Sequence, residues 1–85
     1  MKTYIDRIDT SCGEGWGVIV DDNSGNLIEF RTKKNATTFR KFIAKLDGET
    51  IQAKYDNYIN GLIIVYCQMG HDNNAAFSLV AHNHG

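Results

Sequence analysis

Apolar and polar residues alternate along the first thirty positions with the period of two that is typical of β-strands. Residues 3–8 predict a first strand, whose imperfect alternation suits the edge of a sheet. Residues 16–21 predict a second strand and residues 28–31 a third. Between them lies Asp-Asn-Ser-Gly-Asn at 22–26, a turn signal because these residue types accept left-handed backbone conformations. The second and third strands therefore predict a β-hairpin.

The period changes to that of an amphipathic helix at residues 36–46. The apolar stripe of this helix consists of Phe39, Phe42, Ile43 and Leu46. Asn35 is the predicted N-cap, because its side-chain oxygen can accept a hydrogen bond from the first turn. Asp47-Gly48 predicts the end of the helix, since glycine adopts the left-handed conformation that follows a C-cap.

The second half of the chain allows two assignments. Residues 50–59 fit a strand, and they fit a helical stripe almost as well. Asn60-Gly61 favours the strand, because Asn-Gly is the preferred two-residue turn of a β-hairpin. Residues 62–69 are apolar on both faces, as in a central strand, and residues 76–82 predict a last strand.

These elements predict one small α+β domain that covers residues 1–85. Its antiparallel sheet would have five to six strands in the order βββαβββ, packed on the single amphipathic helix. A sheet of this kind is open at both edges, and either edge could pair with a second copy of the chain to form a homodimer.

The length of 85 residues limits the chemistry that the chain can support. A domain of this size has a thin core and little room for a deep substrate pocket. No paired carboxylates, nucleophile with a base or cofactor motif appears in the sequence, so we predict a protein that is not an enzyme and has no cofactor. The amino-terminal residues lack the apolar run of a signal peptide, and the longest apolar stretch, 62–67, is too short for a membrane span. We therefore expect a cytoplasmic protein that does not bind membranes.

Two residue clusters resemble chemical motifs without completing them. His71, His82 and His84, with Cys67, could form a tetrahedral zinc site if the last strand aimed its histidines to one side. No CxxC or HxxxH spacing accompanies them, so we predict no metal and keep a small zinc-binding domain as an alternative. The glycines around Trp16 do not open a helix, as a phosphate-binding loop requires.

Positive charge is concentrated in the segment 31–45. No acidic residue lies between Glu29 and Asp47, and this stretch has a formal charge of +6 in a chain whose net charge is −1. Ordinary helix surfaces mix both signs. We predict a binding surface formed by Lys33, Lys34, Arg40, Lys41 and Lys45, with Tyr58 as an exposed aromatic residue that suits a protein interface.

The pattern favours a non-enzymatic module that binds another protein, as an inhibitor or adaptor of a larger protein or complex. Its size and composition are similar to those of the small anti-defence inhibitors that phages and other mobile elements encode. Nucleic-acid binding through the basic segment is the alternative, because clustered lysines and arginines neutralise phosphates. The overall negative charge argues against that alternative, since dedicated nucleic-acid binders have a positive excess.

Overall fold

A computed structural model describes residues 2–11, 13–44 and 50–85. The elements are β1 (Thr3–Thr10), β2 (Gly13–Val20), β3 (Leu27–Phe30), α1 (Lys33–Ile43), α2 (Ile51–Gln68) and α3 (Asn73–His84). The predicted α+β class is confirmed. The order βββαβββ with five to six strands is wrong, because the described residues form three strands followed by three helices.

The sheet is antiparallel with the strand order β1-β2-β3. The predicted hairpin of the second and third strands is confirmed, and its turn uses left-handed backbone at Asn23 and Gly25. The register places Ile5, Val18 and Ile28 side by side on one face, which the helices cover. Because side chains alternate along a strand, the neighbouring positions point to the opposite face.

Helix α1 lies on the covered face of the sheet and supplies the centre of the core. Phe39 and Ile43 of the predicted stripe are buried, and Phe42 is at the margin; Leu46 lies outside the described residues. The N-cap is Thr32, three residues before the predicted Asn35, and its hydroxyl accepts a hydrogen bond from the Asn35 main-chain N–H. The predicted helix end at 47–48 also lies outside the described residues.

Asn35 has a different function from the predicted cap. Its side-chain amide donates hydrogen bonds to the main-chain oxygens of Asn83 and Gly85, at 3.0 and 3.1 Å. The Arg31 main-chain N–H also donates to Gly85. The end of α3 is therefore held against the beginning of α1.

The predicted strands at 50–59, 62–69 and 76–82 are helices in the structure. Helix α2 runs through Asn60-Gly61 without interruption, because a glycine inside a helix costs only about 1 kcal/mol. Burial of Ile51 and Tyr58, together with the partly buried Leu62, outweighs that cost. The turn preference of Asn-Gly is a local effect, and the helical stripe that it competes with spans three turns.

The capping residues at the starts of α2 and α3 are helix signals that the strand assignment overlooked. The Thr50 hydroxyl accepts a hydrogen bond from the Ala53 N–H, and the Asp72 carboxylate accepts one from the Ala75 N–H. Both residues satisfy main-chain donors that the first turn of a helix leaves unpaired.

A buried lysine of α2 ties that helix to the end of α1. Only 1% of the Lys54 surface is exposed, and its ammonium donates a hydrogen bond of 3.2 Å to the Ile43 carbonyl oxygen. The last carbonyl groups of a helix lack partners within the helix and carry partial negative charge. Lys54 therefore supplies a donor to the carboxyl end of α1.

Substitution of Lys54 should show this contribution. We expect Lys54→Met to lower the free energy of unfolding by about 1–3 kcal/mol, because the buried Ile43 carbonyl loses a donor that methionine cannot replace. The exposed Lys34→Met is the matched control and should change stability by less than about 0.5 kcal/mol. Urea unfolding measures both, and equal stability of the two variants would contradict the assignment.

Candidate functional site

The outer side of α1 presents the positive charge that the sequence concentrates there. We call Lys33, Lys34, Arg40 and Lys41 the basic face. All four residues are exposed, and the core residues of α1 lie on the other side of the helix. Lys45, the fifth predicted basic residue, lies outside the described residues.

Two threonines fill the helix surface between Lys34 and Lys41. The Thr37 and Thr38 hydroxyls donate hydrogen bonds back to the main-chain oxygens one turn earlier, at 2.8 and 2.9 Å. These hydroxyls are therefore engaged within the helix. The lysines provide the long polar side chains of this surface.

The charges of the basic face are not neutralised by acids within the described part of the chain. The ion pair found there joins Arg7 to Glu14, away from α1. Arg40 instead donates hydrogen bonds to the carbonyl and hydroxyl oxygens of Thr3, which fixes α1 against the first strand. The Lys33 ammonium lies 5.4 Å from the centre of the Trp16 ring, within cation–π range.

A groove borders the basic face where the start of β1 meets the end of α1. Its volume is about 530 Å³. Its described lining residues include the exposed basic side chains Lys2, Arg40 and Lys41 and one acid, Asp21; Lys54 also lines it but is buried. An acidic side chain from another molecule would find a positive surface there.

Tyr58 lies in the core rather than on the predicted binding surface. Only 7% of its surface is exposed, and its ring centre is 5.4 Å from Phe39 and 5.2 Å from Phe42. Burial raises the pKa of the Tyr58 hydroxyl above its usual value of 10.0, and the neighbouring Tyr55 raises it further. The helical assignment of 50–59 explains this placement, because it puts Tyr58 on the same stripe as Ile51.

This burial predicts a loss of stability in alkali. Because the folded state disfavours the phenolate, the unfolded chain releases its proton first, and stability falls as the pH rises above about 10. Tyr58→Phe keeps the ring and removes this proton, so its free energy of unfolding should fall less steeply in that range. Tyr4→Phe, on an exposed tyrosine outside the core, is the control for the loss of a tyrosine hydroxyl; identical curves for all three proteins would contradict the prediction.

The candidate zinc ligands are not brought together. His82 and His84 belong to α3, where residues two positions apart point in directions about 200° apart. The His84 Nε2 atom is 3.1 Å from the Tyr66 hydroxyl, and the Cys67 thiol donates to the Asn73 side-chain oxygen at 3.3 Å. No group of three or more His, Cys, Asp or Glu residues in the described ranges has a metal-binding arrangement.

The glycines beside Trp16 serve the sheet. A Cβ atom at Gly15 would lie only 2.7 Å from the Phe30 carbonyl oxygen, so a side chain there would push β3 away. A Cβ at Gly17 would lie 3.1 Å from a methyl group of Ile8 on the neighbouring strand β1. These glycines therefore permit close packing within the three strands.

Among residues 2–11, 13–44 and 50–85, no helix has both the length and the apolar character that a membrane span requires. Comparison of the chain with protein-family models, with curated proteins and with solved structures finds no match to any of them.

Proposed function

We propose that the protein is a non-enzymatic module that binds the acidic surface of another protein, as an inhibitor or adaptor of a larger protein or complex. The observation that supports this proposal is the basic face, where exposed cations have no acidic partners within the described residues. Unpaired charge of one sign attracts a surface of the opposite sign and steers its approach. That a phage or another mobile element encodes the protein stays a prediction.

The rigid mounting of the basic face suits recognition of a defined surface. The side chains of α1 that face inward are fully buried at Ala36 and Phe39, so the helix is fixed on the sheet. Lys34 and Lys41 are seven residues apart, which places them on the same side of the helix at a separation of about 10 Å. Two lysines whose Cα atoms are held at that spacing favour a partner that has acidic groups at a similar separation.

A protein partner fits the charges better than a nucleic acid. The chain outside the segment 31–45 has a formal charge of −7, which would repel a phosphate backbone. Single-stranded nucleic acids also require aromatic rings on which bases stack. The cations of Arg7 and Lys33 already lie over the Trp16 ring, 5.5 and 5.4 Å from its centre.

Neutralisation of two lysines tests the proposal. The double variant Lys34→Gln and Lys41→Gln removes the central charges of the basic face without reaching the core. We expect the parent protein, used as bait in a lysate of its source organism, to retain a specific acidic protein, and we expect this variant to lose it. Binding of the purified pair should weaken by about a hundredfold or more, since two charge-assisted contacts of about 1.5–3 kcal/mol each are lost.

The matched control changes the net charge by the same amount elsewhere. Gln52→Glu with Gln68→Glu alters two exposed residues of α2 and should leave the complex intact. Equal loss of binding in both variants would show that net charge, rather than the basic face, governs association. A gel shift of DNA or RNA that disappears in the lysine variant would overturn the proposal in favour of nucleic-acid binding.

A further inference from the structure

The outer part of α2 and the whole of α3 form a helical hairpin with almost no charge. Between residues 55 and 85 the charged side chains are Asp56 and Asp72, and no lysine or arginine occurs there. A solvated surface normally contains about a quarter to a third of charged residues. The hairpin instead exposes large apolar side chains, with 57% of Ile64 and 61% of Phe77 accessible to solvent.

A groove runs between the two helices on one side of this hairpin. Its volume is about 550 Å³. The apolar side chains that line it are Tyr55, Ile59, Ile63, Phe77, Val80 and Ala81. The α3 wall is apolar, with Phe77 exposed on it, whereas the α2 wall also has Asp56 and Asn60 among its apolar residues.

The solvent-accessible surface of the protein is also larger than that of a compact monomer of the same mass. Its accessible surface is 5734 Å², whereas a compact monomer of 9.5 kDa has about 5,050 Å². The radius of gyration is 13.2 Å, compared with about 12 Å for a compact chain of this length. The excess of about 700 Å² is close to the roughly 800 Å² that each partner buries in a standard protein interface.

We infer that the occupant of the groove is a second copy of this chain, in a homodimer formed by the two α2–α3 hairpins. A two-fold interface pairs one surface with itself, so it must be self-complementary. This surface offers both a projecting ring, Phe77, and an apolar groove large enough to receive that ring. Because the hairpin has no cluster of like charges, two copies approach without strong repulsion.

The geometry of such a dimer is a four-helix arrangement. Antiparallel helices joined by a short loop pack face to face in bundles of this kind. Phe77 of each copy would enter the groove of the other beside Ile59 and Ile63, and Ile64 would lie at the rim of the interface. The basic face belongs to a different part of the fold and would remain accessible in both copies.

Measurement of molar mass tests the dimer. Light scattering coupled to size-exclusion chromatography of the full chain should give a mass close to twice 9.5 kDa, with dissociation only on dilution. Phe77→Glu places two like charges at the interface and should give a monomer. A monomeric parent protein at all accessible concentrations would overturn the inference and would assign the groove to a different occupant.

A matched substitution distinguishes a contact in the groove from a general effect of removing an exposed apolar side chain. Val65 is 50% exposed on the same helix as Ile63, but it points about 200° away from it and does not line the groove. Val65→Glu should therefore remain dimeric, and so should the double lysine variant of the basic face. A dimer that persists in Phe77→Glu would place the interface elsewhere, for example at a sheet edge, and would also overturn the inference.

Folding of the variants is checked by circular dichroism. Should Phe77→Glu lose its helical signal, Phe77→Ala serves in its place, because alanine favours the helix and adds no charge. We expect Phe77→Ala to raise the dissociation constant of the dimer by at least about tenfold. An unchanged dissociation constant for Phe77→Ala would contradict the proposed contact.

Discussion

The aromatic cluster around Phe39 joins the sheet, α1 and α2 into one core. Phe39 is completely buried, and its ring centre lies between 5.3 and 5.7 Å from those of Phe30, Tyr55 and Tyr58. These rings come from β3 and from both helices, and most of the pairs meet at steep angles, an arrangement that the charge distribution of aromatic rings favours. In a domain with so thin a core, one such cluster has to hold the elements that larger proteins connect through several layers. Both proposed surfaces follow from it.

The cluster fixes where each surface points. With Phe39 turned inward, the helical period turns Lys34 and Lys41 outward, so the basic face is a direct consequence of the core contact. On α2, Tyr58 is the last residue of that helix buried in the main core, and the helix continues for ten further residues beyond it. Ile59 and Leu62 of that continuation still pack against the main core, and beyond them Ile64 and Val65 are exposed.

The parts of the fold that the sequence predicted correctly are those where local and tertiary effects agree. In β2 and β3 the alternation, the turn residues and the burial of Val18 and Phe30 all favour one structure. In residues 50–68 the local and tertiary effects disagree, because Asn60-Gly61 favours a turn while the apolar stripe favours a helix. In α2 and α3 most polar residues are uncharged and apolar residues are exposed as well as buried, so these helices show little amphipathic pattern and resemble buried strands in sequence. The basic face was predictable because the charge of an exposed helix face can be read from the sequence alone. The position of Tyr58, in contrast, depended on whether residues 50–59 form a strand or a helix.

The exposed apolar side chains of the hairpin are the reason for the proposed dimer. Exposed apolar side chains such as Ile64 and Phe77 are stabilised when another protein surface covers them, and a single copy of this chain provides one neighbouring helix at that end. A two-fold dimer supplies the missing neighbours and places two basic faces on one particle. Binding of the first basic face to an acidic complex would then raise the effective concentration of the second, so that modest attraction at each face gives a stable assembly. Concentration of positive charge on α1 and of exposed apolar side chains on α2 and α3 is therefore consistent with two separate contacts, one between copies and one with the partner.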